Sequence, residues 1–422
     1  MKNIPEIRIK GFEGEWKESV LQENLADNLR TNTLARAFLS DNDGEVLNVH
    51  YGDVLIKYDS LLNAAKDDIP HIKGSKAKDY SDFIQDGDII FADTAEDETA
   101  GKCVEVMNVG NNNIVSGLHT IACRPKHTFG KGFLGYYINS PKYHEQLYPL
   151  LQGIKVFSLN KSQLEQTEMR TPESLAEQQS LGSFFSSFDR LLSDHHRRLE
   201  NLRRVKKSML QKMFPQQGQT VPEIRFKGFS GEWKEMKLGD VGTIISGVGF
   251  PNKEQGGKHG IPFYKVSDMN NKGNETMMIN ANNYVTKQQI EKYHWKVCED
   301  VPAIFFAKVG AAIFFDRKRL VTTPCLFDNN TMVYCLDKEF WDATFCLKLF
   351  EHIKLSSLSQ VGSLPSFNGT AVENISVLIP SKAEQHLIGS FLTSLDNLIN
   401  DEVNYIDQLT RVKSTLLQKM FV

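Results

Sequence analysis

Two stretches of this 422-residue chain are written twice. Residues 5–18, PEIRIKGFEGEWKE, return as residues 222–235, PEIRFKGFSGEWKE, with twelve of fourteen positions identical. Residues 176–214 return without a gap as residues 383–421, with 19 of 39 positions identical. The chain therefore reads A–x–B–A–y–B, with constant pieces A and B and diverged middles x and y. Two similar halves in one polypeptide predict pseudo-twofold symmetry, and a nucleic-acid duplex read at two half-sites is a twofold target.

The B segments carry apolar residues at spacings of three and four. In the first copy the stripe runs Leu181, Phe184, Phe188, Leu191, Leu199, Leu202, Val205, Met209, Met213; in the second, Ile388, Phe391, Leu395, Leu398, Ile406, Leu409, Val412, Leu416, Met420. Such a stripe over several heptads predicts long helices that pair with each other. Pro172 and Pro380 suit the starts and Pro215 the stop of the first. About 42 residues at ~1.5 Å rise give a rod of roughly 60 Å, too long for most globular cores. The first rod carries eight Lys/Arg against five Asp/Glu over 173–214, and the second four against five over 381–421.

The middles read as short strands separated by Gly, Asn and Asp turns: 52–57, 87–92, 114–115, 120–123, 261–266, 303–307, 311–315 and 331–336. Helices are expected over 132–148 and 340–355. Near the ends of x and y, Phe157-Ser-Leu-Asn160 and Ser366-Phe-Asn368 are each followed by proline twelve residues after the asparagine. The expected fold is α+β: two similar α/β domains joined by two long helices in an antiparallel coiled coil.

The 41% hydrophobic content and 24% charge are those of an ordinary globular chain, and no apolar run nears the ~20 residues of a membrane span. The opening residues contain no signal-like apolar region, so the cytoplasm is the expected compartment and no membrane partner is expected. The six cysteines lie at least ten positions apart with no C-x-x-C pair, which argues against zinc and a disulfide framework. A net charge of −3 suits DNA binding only if basic residues cluster on one face or a partner supplies part of the grip.

Catalytic patterns are missing. There is no G-x-x-x-x-G-K-[ST] phosphate loop. Ile261-Pro-Phe-Tyr264 lacks the leading Asn/Asp and second proline of an adenine-methyltransferase loop. Glu15-Trp-Lys17 and Glu232-Trp-Lys234 have the E-x-K form of metal nucleases but sit in Gly-flanked openings, where Trp16 and Trp233 dock as structural anchors. His195-His196 lack a third ligand, so neither a catalytic nor a metal site is expected.

The paired PEIR-x-K-G-F-x-G-E-W-K-E openings, the AEQ-x-x-x-G-S-F starts at Ala176 and Ala383, and the LQKMF ends at Leu210 and Leu417 resemble the DNA specificity subunit of type I restriction–modification systems, over essentially the whole chain. Leu238-Gly-Asp240 is also typical; Leu21-Gln-Glu23 departs from it in the first copy. The resemblance implies target-recognition domains at 1–170 and 222–379, a central helix at 171–214, a linker at 215–221 and a C-terminal helix at 380–422. Each domain would read one half of an interrupted site in double-stranded DNA, the helices setting the gap. It implies two methyltransferase subunits and restriction subunits as partners. S-adenosylmethionine, ATP and Mg would be used by those partners, with no cofactor in this chain. The rival is a helical adaptor with two protein-binding modules and no nucleic-acid role.

Base reading needs Arg, Lys, Asn, Gln, Ser, Thr or His at strand-end loops. The candidates are Arg30, Thr31, Lys73, Lys76, Lys78, Thr94, Lys102, Ser116 and His119 in the first domain, and Ser246, Lys265, Ser267, Lys308, Arg317, Lys318, Arg319 and Asn329 in the second.

Overall fold

The computed structural model describes residues 3–26, 29–359 and 364–422, which form two compact units. The first joins the chain up to His196 to Asn404–Val422, and the second is Arg197–Val403. The long helices, Leu175–Lys212 and Lys382–Lys419, each give part of their length to either unit.

Within each unit the helix segments run antiparallel. In the first, Asp189 pairs with Lys413, and His195 packs on Tyr405 at 4.6 Å between ring centroids. In the second, Arg198 meets Glu402 at 3.4 Å and Lys206 meets Asp396 at 2.5 Å. Asp189 aligns on Asp396 in the repeat, and Lys206 on Lys413. The Asp–Lys pair of one unit is thus the repeat image of the pair in the other.

The globular parts share a strand order. In the first, among the described residues, Leu25–Ala26, Thr120–Pro125, Ile89–Ala92, Cys103–Met107 and Leu61–Asn63 lie side by side, antiparallel but for the last pair. In the second, Gly242–Ser246, Thr331–Leu336, Ala303–Ala307 and Lys318–Val321 follow the same order, all antiparallel. Each also holds a parallel pair: Val46–Val49 with Asn113–Ser116, and Ile261–Tyr264 with Leu326–Phe327. The central strands are buried on both faces, which explains their unbroken apolar runs.

The repeated motifs meet in space. Arg8 donates to both carboxylate oxygens of buried Glu177, at 2.8 and 2.8 Å, and Arg225 does the same to Glu384, at 2.7 and 2.8 Å. These charge-assisted forks bind each PEIR opening to its AEQ helix start. The glycine of AEQ-x-x-x-G-S-F has an equally direct reason. A Cβ on Gly182 would lie 2.2 Å from the Lys131 carbonyl, and one on Gly389 2.5 Å from the Phe345 amide nitrogen.

The LQKMF ends close the cores crosswise. Phe421 packs on Trp16 and Phe185 in the first unit, at 6.3 and 5.5 Å between centroids. Phe214 packs on Trp233 and Phe345 in the second, at 6.0 and 5.4 Å. Each domain that follows one repeat opening is therefore completed by the helix end of the other repeat.

Three expected elements differ. Residues 51–56 form a helix, because the His50 side chain accepts from the Gly52 amide at its N-terminus and Asp53 turns inward to Arg36 at 2.5 Å. Ala311–Phe315 is a 3₁₀ turn, entered at Gly310 (φ 81°) and left at Asp316 (φ 51°). The helix expected over 132–148 is broken into Phe133–Ile138 and Pro141–His144, where Ser140 caps and Pro141 lacks the N–H to continue.

Candidate nucleic-acid interface

Each globule has a turn built alike, where the chain passes from a strand of the parallel pair into a central strand of the main sheet. In the first, Asn113–Ser116 turns through Gly117-Leu-His119 into Thr120–Pro125, braced by Thr120 Oγ1 donating to the Gly117 carbonyl at 2.6 Å. In the second, Leu326–Phe327 turns through Asp328-Asn-Asn330 into Thr331–Leu336, and Thr331 Oγ1 donates to the Asp328 carbonyl at 2.7 Å. A buried polar atom stays unpartnered beside each turn, Asn48 Nδ2 in one and Asp328 Oδ1 in the other.

Thr31, Thr94, Ser116 and His119 come together around the first tip. Thr31 bridges Ser116 in backbone pairing, and Thr94 Oγ1 lies 3.3 Å from His119 Nδ1. His119 is exposed at φ 54° and also faces Asp93 at 3.3 Å. Ser116 belongs to the turn's interior, with its hydroxyl 2.5 Å from that of Thr120, so it shapes the tip and presents no donor outward. Arg30 is open, 3.6 Å from Asp82. Lys102 points inward and donates to the Leu55 and Tyr58 carbonyls at 2.9 and 2.7 Å, ending the 51–56 helix; burial lowers its pKa. Lys73, Lys76 and Lys78 form a separate exposed group. Lys73 donates to the Ala37 carbonyl and Lys76 pairs with Glu45 at 2.9 Å.

Around the second tip, Asn329 is exposed in the turn, and Ser246 is exposed opposite Met332 at the strand end. The Lys308 amide donates to the Asn330 carbonyl at 2.9 Å, and the Asp328 amide to the Tyr264 carbonyl at 3.0 Å, which brings Lys308, Lys265 and exposed Ser267 alongside. Burial lowers the Lys308 pKa, and the charge of Asp328 opposes that shift. Lys265 donates to Gln255 at 3.1 Å. The 317–319 cluster is divided by strand alternation. Arg317 is exposed and bonds Asn270. Lys318 is buried, donating to the Ile353 carbonyl and pairing with Asp316, each at 2.8 Å. Arg319 is half-buried and donates to the Asn274 carbonyl. Lys102, Ser116 and Lys318 thus hold the fold from inside, while the other candidates stand at or near the surface.

Two groups at the rims escaped the sequence reading. Tyr51 packs edge-on to His119 at 5.3 Å, hidden because residues 52–57 read as a strand. Phe314 and Phe315, expected within a strand over 311–315, stand exposed on the 3₁₀ turn.

The fold is that of an internally duplicated protein whose two alike domains are completed by long helices. Residues 230–411 match the family model described as the type I restriction modification DNA specificity domain. The chain is 23% identical over 296 residues to the type I restriction enzyme MjaVIII specificity subunit of Methanocaldococcus jannaschii, covering 63% of this chain and 64% of that relative, just under two thirds of its length. It is 22% identical to the MjaIX specificity subunit of the same organism, covering 70% and 69%. The S subunit of a type I restriction–modification system from M. genitalium superposes with a TM-score of 0.60 at 14% identity, covering 99% of both chains. A chain from a study of complex assembly and conformational transition of the type I system gives 0.59 at 14%, covering 97% and 98%. Residues 230–411 thus carry the match to the type I restriction modification DNA specificity domain, and the chain is similar over most of its length to type I restriction enzyme specificity subunits.

Proposed function

We propose that this chain is the non-catalytic DNA-recognition and assembly subunit of a type I restriction–modification complex. Its recognition domains, residues 1–170 and 222–379, each read one half of an interrupted double-stranded site. Two methyltransferase subunits and the restriction subunits dock on the chain and supply the chemistry, using S-adenosylmethionine, ATP and Mg. The observation that carries this reading is the pair of alike sheet-to-sheet turns, each braced by a threonine and ringed by different polar and basic side chains. Equal frames with unequal rims suit two half-sites of unequal sequence. Arg30, Thr31, Thr94 and His119 serve the first half-site, with Lys73, Lys76 and Lys78 on nearby phosphates. Ser246, Lys265, Ser267, Lys308, Asn329 and Arg317 serve the second, with Arg319 behind them. Phosphate contacts position such a domain and base contacts specify it.

The test is to co-express the chain with the methyltransferase subunit of its own host and map N6-methyladenine across a plasmid by single-molecule sequencing. A two-part motif with an undefined gap is expected. An assembled complex that leaves no methylation motif would favour the adaptor role instead.

A further inference from the structure

The connection from Ala303–Ala307 to Lys318–Val321 keeps two large rings in solvent: Phe314 is 62% and Phe315 69% exposed, while Ile313 between them and the sheet takes the core position. The turn is held firmly. The Gly310 amide donates to the Pro365 carbonyl at 2.8 Å and Val309 bridges Ser366. On that tied segment Leu364 is 61% exposed. The turn's root, Lys308, is bonded to Asn330 of the 328–330 turn, so the apolar group belongs to the same rim as the candidate base readers. Cations flank it: the Arg317 guanidinium lies 5.1 Å from the Phe315 ring centroid, and Lys308 stands at the other end of the turn.

The first unit has a counterpart of the tied segment, though not of the Phe pair. Its Gln152–Ser158 hairpin lies on the Thr94–Ala95 edge. Aligned on Asn160 and Asn368, Val156 takes the place of Leu364, and it is 53% exposed. Single exposed apolar residues need no explanation, but two adjacent Phe rings on a turn tied to the segment that exposes Leu364, with Arg317 and Lys308 at its ends, do.

We propose that Phe314 and Phe315, with Leu364, form an apolar wedge that enters and unstacks a base-pair step of the bound duplex, while Arg317 and Lys308 hold the flanking phosphates. Apolar side chains inserted at a step unstack it and kink the duplex. An opened step also lessens the unstacking that a methyltransferase must meet to extrude its target adenine. The cationic flanks fit a polyphosphate better than an apolar protein groove. This inference rests on the DNA-recognition function proposed above.

The test uses the full chain in complex with its host's methyltransferase subunit, on duplexes that carry the mapped motif and 2-aminopurine at successive positions. The wild-type complex should raise 2-aminopurine fluorescence at one step. The Phe314→Ala/Phe315→Ala variant should lose that rise and bind roughly tenfold more weakly, the loss of one stacked ring contact. Its affinity should return on a duplex with an abasic site at that step, where there is no stacking left to break. The methylated motif should stay the same. Equal fluorescence and affinity in variant and wild type overturn the wedge. So does a variant that no longer captures the methyltransferase subunit, which would make the patch a protein contact. A wild-type complex that binds no motif overturns the recognition function itself, and is told apart because it fails before any variant is compared.

Discussion

The two units close their cores with repeat-related residues and then differ at nearly every exposed edge. Phe421, Trp16 and Phe185 in one stand for Phe214, Trp233 and Leu392 in the other. The Arg8–Glu177 fork stands for Arg225–Glu384. At the rims the likeness ends: the connection from Ile89–Ala92 to its sheet neighbour Cys103–Met107 carries acidic Glu96-Asp-Glu98, whereas the matching connection in the second unit carries Ala311-Ala-Ile-Phe-Phe315. What repeats is what the domains need to meet their helices; what diverges is what faces outward.

The closing rings are each unit's own. Phe421→Ala should cost the first unit about 3–5 kcal/mol and Phe214→Ala the second by a like amount. Hydrogen exchange should show the loss in strands 89–92 and 120–125 for the former, and in 303–307 and 331–336 for the latter. A Phe421 variant that loosens the second unit's strands instead would refute the crosswise closure.

Asp396 faces both Lys206 and fully buried Lys348, while Asp189 faces Lys413 and the Tyr136 hydroxyl. Asp396→Ala leaves a buried ammonium with Glu351 alone and should cost about 3 kcal/mol, Asp189→Ala about 1 to 2 kcal/mol. Equal losses in urea unfolding would mean that Lys348 is not desolvated as the geometry has it.

A third difference is pH-dependent. Glu105 occupies the strand position that Leu320 holds in the second unit, opposite Ile89 and Ile304 respectively. It accepts from the Gly132 and Gly135 amides at 2.6 and 2.9 Å, and burial pushes its pKa up to about 7 from 4.5. The folded chain then holds a proton that the unfolded chain releases, so this stability is complete below pH 4.5 and lost as pH rises through 7. The first unit should weaken by up to about 3 kcal/mol across that window, and Glu105→Gln should flatten the slope. A first unit with no such slope in denaturant titrations at the two ends of the window would contradict the buried, neutral carboxyl.

The smallest effect expected is at the rims. Lys76→Ala and Arg317→Ala should leave the fold unchanged and each lessen the salt slope of DNA binding by about one. No change in slope would remove that residue from the phosphate contacts.

Much of the frame was legible because helices and buried strands write their periods into the chain. The two rods and the central apolar strands stand within a few residues of their expected bounds. The Arg8–Glu177 and Arg225–Glu384 forks were not legible, since partners 169 and 159 residues apart leave no local pattern. Nor was the destination of the LQKMF ends. Residues 52–57 read as a strand from their Val-Leu-Ile run, but His50 caps the Gly52 amide and Asp53 is buried against Arg36, and the segment is helical. Among the candidate site residues, Lys102, Ser116 and Lys318 are polar residues that found backbone or hydroxyl partners inside, which residue type alone does not disclose.

The central claim is that the two domains read separate halves of one site. Its most direct measurement is to exchange residues 19–170 for those of a relative with a different motif and map N6-methyladenine in the exchanged complex. One half of the motif should change while the other half and the gap stay as they were. A change in both halves, or in neither, would contradict the account.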